Sequence, residues 1–184
     1  MDQLIQLKTC LDAIGLNSLV AWQALAAACV TVKLKTGENF ICQAGTVAFI
    51  IEGIIKEYDS SLRTKPAIVN LLTANEYVVT FVGSNHHFYR ASCPSTLVYI
   101  DNTRQWQLFD QFNELQSLYF NIEDLHFQSR QRRTQLLEFN TARERIKAFI
   151  RKNRSILPFL RKKDIANYLC LEYNLFVRHY SKLL

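Results

Sequence analysis

The sequence contains no run of 18 apolar residues, the length at which a helix can begin to span a bilayer. Its longest apolar stretch, from Leu19 to Val32, is shorter than that and is followed by Lys33. The first residues include Asp2 and lack the basic segment that opens a secretory signal peptide. These absences predict a cytoplasmic protein without a membrane span.

Cysteine pairs with metal-binding or redox spacing are also absent. The five cysteines are scattered and no two form a CxxC motif, so neither a disulfide framework nor a zinc or iron–sulfur site is expected. His86 and His87 are adjacent, and on a strand they would point to opposite faces, which makes them poor joint metal ligands. No nucleophile–base pair and no paired carboxylates stand at a catalytic spacing. The sequence therefore predicts a protein that is not an enzyme and holds no metal and no cofactor.

Positive charge is concentrated in the C-terminal part of the chain. The protein carries a net charge of +6, and 14 of its 22 Lys and Arg but only four of its 16 Asp and Glu lie from Arg130 onward. That segment has a net charge of +10 and the remainder has −4. A basic end on a mildly acidic body indicates a polyanionic partner, while a solvated helical surface is the alternative.

The chain divides into two kinds of pattern. Residues 30 to 100 alternate apolar and polar positions and are punctuated by Gly37, Gly45 and Gly53, which is typical of short antiparallel strands joined by turns. Residues 1 to 30 and 103 to 184 have helical patterns. Strands followed by helices predict an α+β protein with an antiparallel β-domain, not a βαβ fold.

Seven positions of the long helical stretch recur at alternating spacings of three and four residues, the a/d pattern of a coiled coil. A helix with this face either packs it on its own β-domain or pairs with a second copy. The 3.5-residue repeat favours a second copy, because a helix on a sheet needs only a broader face. We therefore predict a symmetric homodimer with a seam made of Leu115, Leu118, Ile122, Leu125, Ser129, Arg132 and Leu136.

The segment KKDIANYLCLEYNLFVRHY, from Lys162 to Tyr180, has the pattern of two helices that cross at Ala166. Apolar residues fall where such a crossing needs them, at Ile165, Leu169, Leu171 and Phe176. The pattern is typical of a helix-turn-helix motif, but an αα-hairpin with a solvated outer face fits it equally well. In a helix-turn-helix motif the candidates for contacts with DNA bases and phosphates are Tyr173, Asn174, Arg178, Ser181, Lys182, Lys162 and Lys163.

The order of these patterns resembles the Crp/Fnr family of bacterial transcription regulators. The similar segments are LKTGENFICQAG (34–45), FIIEGIIKEY (49–58), YRASCPSTLVYID (89–101), ERIKAFI (144–150), KKDIANYL (162–169) and NLFVRHYSK (174–182). The resemblance covers nearly the whole chain. It implies a cyclic-nucleotide-binding-like β-roll of the jelly-roll (double-stranded β-helix) type over residues 1–110. It also implies a dimerisation helix over 111–138 and a helix-turn-helix domain over 139–184.

The predicted ligand pocket departs from the nucleotide-binding members of the family. Asn75 and Glu76 stand where these relatives have Gly-Glu, and Asn85 followed by His86 stands at the position of the arginine that grips the cyclic phosphate. Asn85 brings no charge to an anionic ligand. The predicted pocket set is Asn75, Glu76, Asn85, His86 and Arg90, although Arg90 is expected on the strand surface. Phe81, Phe88 and Tyr89 are candidates to fill the pocket. We therefore predict no response to cyclic AMP, with another small-molecule effector left open.

The helix-turn-helix segment also departs from the family. Cys170 replaces the usual glycine of the turn, and Glu172 replaces a Ser or Thr cap and places a carboxylate next to a polyanion. Arg178 is retained. We expect a homodimeric DNA-binding transcription regulator that inserts the Tyr173–Lys182 helix into the major groove. The alternative is a ligand-sensing or protein-interaction module whose helix-turn-helix no longer binds DNA.

Overall fold

A computed structural model describes residues 2–61, 64–81, 83 and 86–183 of the chain. Within these residues the strands occupy the middle of the chain and the helices its two ends, as the sequence predicts. The helices are α1 (Asp2–Asp12), α2 (Leu19–Ala28), α3 (Asn102–Gln111), α4 (Asn113–Leu137), α5 (Ala142–Lys152), α6 (Lys162–Tyr168) and α7 (Tyr173–Tyr180), with a short 3-10 helix at Leu157–Phe159. The strands are β1 (Val30–Leu34), β2 (Asn39–Phe40), β3 (Val47–Glu52), β4 (Ile54–Asp59), β5 (Ala67–Thr73), β6 (Tyr77–Val79), β7 (His87–Ala91) and β8 (Ser95–Ile100).

The strands form two antiparallel sheets of four strands each. The first has the order β1-β8-β3-β6 and the second β2-β7-β4-β5. Successive residues of β3 point to opposite faces, so that Ala48 and Ile50 join the apolar cluster between the sheets while Phe49 and Ile51 join a cluster outside them. Both faces of β3 are therefore buried, and the two sheets together make the predicted antiparallel β-roll.

Gly53 shows why glycines punctuate the strands. It joins β3 to β4 with a φ of 97°, in the left-handed region that favours glycine. A Cβ at this position would lie 2.7 Å from the Cα of Ser95 in β8. Gly37 and Gly45 also have positive φ, at 84° and 85°. The regular spacing of these three glycines thus marks real turns.

Helices cover the outer faces of both sheets. Helices α1, α2 and α3 and the first half of α4 pack on the first sheet through a cluster that includes Leu11, Phe49 and Leu118. Helices α5, α6 and α7 and the end of α4 pack on the second sheet through a cluster that includes Ile68, Phe149 and Phe176. Burial on both faces explains why strands such as β3 contain nearly continuous apolar runs.

Helix α4 lies along β5 and β6, which are edge strands of the two sheets, and this position corrects the predicted dimer seam. Of the seven seam residues, Leu125 is 37% exposed and Arg132 forms an ion pair with Glu76. The other five are buried within the protomer, namely Leu115, Leu118, Ile122, Ser129 and Leu136. A helix that crosses two strand edges also buries a narrow stripe, so the 3.5-residue pattern is satisfied without a second chain. This face is not free to receive one.

Polar contacts fix the C-terminal helices to the roll. The Lys56 Nζ lies 2.9 Å from Asp164 Oδ2, and both side chains are largely buried. Asn167 of α6 accepts a hydrogen bond from the Ile68 N–H at 2.7 Å and donates one to the Pro66 carbonyl at 3.0 Å. Because β5 is an edge strand, the Asn167 amide pairs backbone groups that no neighbouring strand reaches. The roll therefore sets the position of α6 and of the helix that follows it.

Candidate functional site

Helices α6 and α7 cross at the small residue that the sequence pattern indicates. Ala166 is almost fully buried, and Ile165, Leu169 and Phe176 are buried around it. The Leu171 N–H donates to the Ala166 carbonyl at 2.9 Å, which closes the turn between the two helices. The packing is that of a helix-turn-helix motif.

The turn between these helices contains a backbone conformation that is unusual for its residue. Cys170 has a φ of 54°, in the left-handed region. Its sulfur lies 2.9 Å from Nη2 of Arg133, and Nε of the same arginine donates to the Tyr168 carbonyl at 2.8 Å. Arg133 of α4 thus holds the turn in place and connects it to the long helix.

Glu172 is the N-cap of α7, and its carboxylate accepts a hydrogen bond from the Leu175 N–H at 2.9 Å. Hydrogen bonds from the backbone N–H groups of Asn174 and Leu175 lower the pKa of Glu172. The residue that departs from the expected Ser or Thr therefore still caps the helix, as a charged acceptor. It also places one negative charge at the N-terminal end of α7.

The structure brings the sequence-predicted DNA-contact residues together on the outside of the motif. All seven are solvent-exposed: Tyr173, Asn174 and Arg178 on α7, Ser181 and Lys182 in the turn after it, and Lys162 and Lys163 on α6. The Nζ of Lys163 lies 5.7 Å from the ring of the exposed Tyr173, and the Nζ of Lys162 lies 5.7 Å from the ring of the buried Tyr180. Helix α7 ends at Tyr180, two residues before the predicted end.

The residues predicted to line a ligand pocket have separate partners. Asn75 has a φ of 69° and accepts a hydrogen bond from Gln6 of α1 at 2.8 Å. Glu76 accepts from the Thr73 N–H at 2.7 Å and pairs with Arg132.

Farther along the chain, Arg90 donates to the Asn39 side chain at 2.8 Å and lies over the rings of Phe88 and Tyr58. His86 is exposed, and Asn85 lies outside the described residues. The described members of this set do not converge on one site.

A buried ionic cluster between the roll and α4 was missed by the sequence reading. The Glu57 side chain of β4 is fully buried, and its Oε1 lies 2.5 Å from Arg130 Nη2 and 3.2 Å from His87 Nδ1. Its Oε2 lies 3.5 Å from Nε2 of His126, and its Oε1 lies 3.3 Å from the hydroxyl oxygen of Tyr89. Arg130 and His126 belong to α4, so one carboxylate fastens that helix to two strands of the roll.

The surroundings of Glu57 keep its carboxylate ionised. Burial alone would raise its pKa, but the neighbouring imidazoles of His126 and His87 and the charge of Arg130 outweigh burial, so the pKa of Glu57 lies below its usual range. The sequence contains one signal for this cluster: in IIKEYD (54–59) the charged residues Lys56 and Glu57 stand between Ile55 and Tyr58 inside the strand.

Aromatic side chains fill the roll only in part. Tyr89 is buried between the sheets and donates its hydroxyl to the Val79 carbonyl at 2.7 Å. Phe88 points the other way and stacks on Tyr58 at 4.7 Å, and Phe81 lies 5.9 Å from the ring of His126. A surface cleft of about 270 Å³ lies beside Phe40, Phe81 and His87, with the exposed Ile41 at its edge. Of the three predicted aromatic residues, Tyr89 occupies the interior of the roll.

Neither a metal cluster nor a membrane span is found among the described residues. They contain no group of three or more His, Cys, Asp or Glu side chains placed to hold a metal ion. None of their helices combines the length and the apolar character needed to cross a membrane.

Comparison with solved structures identifies the fold. A protein assigned to the Crp/Fnr family of transcriptional regulators, from Eubacterium rectale, superposes with a TM-score of 0.71 at 12% identity, covering 89% of this chain and 82% of that one. FixK2 from Bradyrhizobium japonicum gives a TM-score of 0.68 at 15% identity, with 84% of each chain covered. The c-di-GMP-responsive global regulator CLP of Xanthomonas campestris gives 0.68 at 14% identity, covering 90% of this chain and 91% of that one.

The chain has the Crp/Fnr fold. The resemblance noted in the sequence is thereby confirmed at the level of structure, and the fold covers both the roll and the C-terminal helices. No protein-family model matches the chain, and no curated protein matches its sequence. At these identities the similarity establishes the Crp/Fnr fold and leaves the function to be argued from the sites.

Proposed function

We propose that the protein is a homodimeric DNA-binding transcription regulator that does not respond to cyclic AMP. The observation that carries the proposal is the exposed outer face of α7. That helix presents Asn174 and Arg178 while its apolar residues, such as Phe176, are buried below. Asn and Arg side chains pair with adenine and guanine edges in a major groove.

The charge distribution supports DNA as the partner. The segment from Arg130 onward carries a net charge of +10, and Lys162 and Lys163 stand beside α7 where they can contact phosphates. A helical hairpin with a merely solvated surface would need no such excess of one sign.

The outer face of α4 supports the homodimer. Phe120 and Phe127 are 58% and 57% exposed and stand seven residues apart, so they lie on one face of the helix, opposite the face packed on the roll. A second copy related by twofold symmetry would cover these rings with the same face of its own α4. The dimer surface we propose therefore consists of Phe120 and Phe127, not of the seam positions buried within the protomer.

The Glu57 cluster supports the lack of a cyclic AMP response. Arg130, the cationic residue that extends from α4 toward the roll, is already paired with Glu57. Arg90 is hydrogen-bonded to the Asn39 side chain on the surface. A phosphate entering the roll would meet a buried carboxylate that stays ionised. Isothermal titration calorimetry with cyclic AMP is expected to show no binding, and saturable heat would contradict this part of the proposal.

DNA binding is tested by titrating the protein with mixed genomic fragments at about 50 and 200 mM salt. The wild type is expected to lose affinity steeply as salt rises, and Arg178→Ala is expected to weaken binding at both concentrations. Arg104→Ala, on the distant helix α3, is the matched control and should bind like the wild type. Equal affinity of the wild type and Arg178→Ala, or binding insensitive to salt, would instead favour a sensing or interaction module.

A further inference from the structure

An open cleft of about 940 Å³ lies between the residues that precede β5 and the helix-turn-helix motif. The β-roll contributes Thr64 and Lys65 to its lining, and α6 and α7 contribute Lys163 and Tyr173. One cleft therefore joins a lysine of the roll to two of the residues that we propose as DNA contacts.

Hydrogen bonds to Asn167 fix Lys65 next to α6. The Asn167 amide donates to the Pro66 carbonyl at 3.0 Å and accepts from the Ile68 N–H at 2.7 Å, and Lys65 directly precedes Pro66. Lys163 stands four residues before Asn167, which is about one turn, so both residues lie on the same side of α6. Lys65 and Lys163 are thus held on two sides of the same cleft.

The charged residues of the cleft are two lysines, Lys65 and Lys163, and one glutamate, Glu172, which gives the lining a net charge of +1. Both lysines are solvent-exposed, and neither forms an ion pair within the part of the chain that the structure describes. The Glu172 carboxylate is engaged as the N-cap of α7, where it accepts from the Leu175 N–H. Two ammonium groups are therefore available to an anion, and lysine binds phosphate as a point charge.

We propose that Lys65 of the β-roll contacts a phosphate of the DNA backbone when α7 enters the major groove. A duplex that meets Lys163 and Tyr173 also covers the opening of the cleft that Lys65 lines. Each strand carries one phosphate for about every 3.4 Å of duplex, so separate phosphates are available to the two lysines. The inference rests on the proposed DNA-binding function and extends the DNA interface from the C-terminal helices to the roll.

The test is the salt dependence of DNA binding by Lys65→Gln, a change that removes the charge and keeps a polar side chain. The full chain is titrated with mixed genomic fragments at about 50 and 200 mM salt. Loss of one phosphate contact lowers the slope of log affinity against log salt by about 0.9 for each protomer on the DNA. The fourfold rise in salt should therefore cost Lys65→Gln roughly 3.5-fold less affinity per protomer than it costs the wild type.

Lys33→Gln is the matched control, because it removes the same charge from the other side of the roll. Val32 and Leu34 join the apolar cluster between the sheets, so Lys33 points to the outer face of the first sheet. The helix-turn-helix motif packs on the second sheet. Lys33→Gln should keep the slope of the wild type, and an equal loss of slope in both variants would overturn the contact, since net charge alone would explain it.

Arg178→Ala separates this inference from the proposed function. If the wild type binds DNA and Arg178→Ala weakens binding, but Lys65→Gln keeps the slope of the wild type, DNA binding stands and the contact from the roll is overturned. If the wild type does not bind DNA, both proposals are overturned. Because phosphate contacts carry no direct sequence information, Lys65→Gln should also weaken binding to all fragments alike. A selective loss for some sequences would contradict a phosphate contact.

Discussion

At the scale of single residues, Glu57 shows most clearly how the surroundings of a side chain determine its ionisation state. Its carboxylate contacts Arg130, His87, His126 and Tyr89 within a fully buried site. Glu57→Gln keeps the shape but removes the charge, leaving Arg130 without its anion. We expect the free energy of unfolding at pH 7 to fall by roughly 3 kcal/mol, as measured by urea denaturation.

The same substitution has a signature in pH. Because the pKa of Glu57 is lowered in the folded state, its ionised form stabilises the protein above the unfolded pKa of about 4.3, and this contribution is lost as pH falls below that value. The difference in unfolding free energy between wild type and Glu57→Gln should therefore shrink from about pH 5 downward. Asp12→Asn, at an exposed pair, provides the control. A difference that does not vary with pH would contradict the lowered pKa.

Cys170 tests the cost of left-handed backbone in the helix-turn-helix turn. Glycine adopts the observed φ of 54° without strain, whereas alanine does not. Both Cys170→Gly and Cys170→Ala remove the contact between the sulfur and Arg133, so comparing them isolates the backbone term. We expect Cys170→Gly to be the more stable by about 1 kcal/mol in thermal denaturation. Alanine equal to glycine would show that the turn relaxes.

Individual residues also show which contacts can be predicted from the sequence and which cannot. The small contact at Ala166 and the buried Phe176 follow from spacing alone, because helical period decides which side chains face inward. Glu57 could not be paired in advance, since Arg130 is 73 residues away and only the path of α4 brings the two together. The spacing between charged residues in the sequence does not predict how α4 runs across the roll.

At the scale of elements, the attachment of α6 to β4 depends on one buried ion pair. Asp164→Ala leaves Lys56 buried and unpaired, and we expect a loss of roughly 3 kcal/mol in unfolding free energy. Adding Lys56→Met should recover most of that loss, because no unpaired charge then remains. The exposed pair Lys8 and Asp12 is the control, and its disruption should cost no more than about 0.5 kcal/mol. Absence of recovery in the double variant would mean that the Asp164 bonds to Arg161 matter more.

Helix α4 shows that one heptad pattern is compatible with two kinds of packing, against a second chain or against the protomer's own sheet. A heptad pattern of apolar residues predicts that a narrow stripe of the helix is buried. It does not predict which surface covers that stripe. Here the stripe that includes Leu118 and Ile122 packs on the protomer's own sheet, and the two exposed phenylalanines of the opposite face stand out only once that packing is known. The placement of strands in the middle of the chain and of helices at its two ends could be predicted from the sequence, whereas the rotation of α4 about its axis could not.

At the scale of the whole molecule, the proposed dimer makes a prediction about α4. Replacing both Phe120 and Phe127 with Glu places like charges on the proposed contact, and we expect a folded monomer by sedimentation equilibrium. Phe159→Glu, at an exposed ring next to the C-terminal helices, should leave the dimer intact. A monomeric wild type, or a double variant that still dimerises, would contradict this surface.

The last prediction joins the dimer to DNA. Two copies of α7 related by a twofold axis would read half-sites about one helical turn apart, so their spacing on DNA is fixed by the protein. With a palindromic site selected from a random library, inserting about 5 base pairs between the half-sites rotates one of them to the opposite side of the duplex. Wild-type affinity should then fall at least about tenfold in gel-shift titrations, because only one half-site remains within reach. The Phe120→Glu/Phe127→Glu variant should bind both spacings equally and weakly. If the wild type also tolerates the insertion while Arg178→Ala still weakens binding, α7 contacts DNA but the two protomers do not act as one unit.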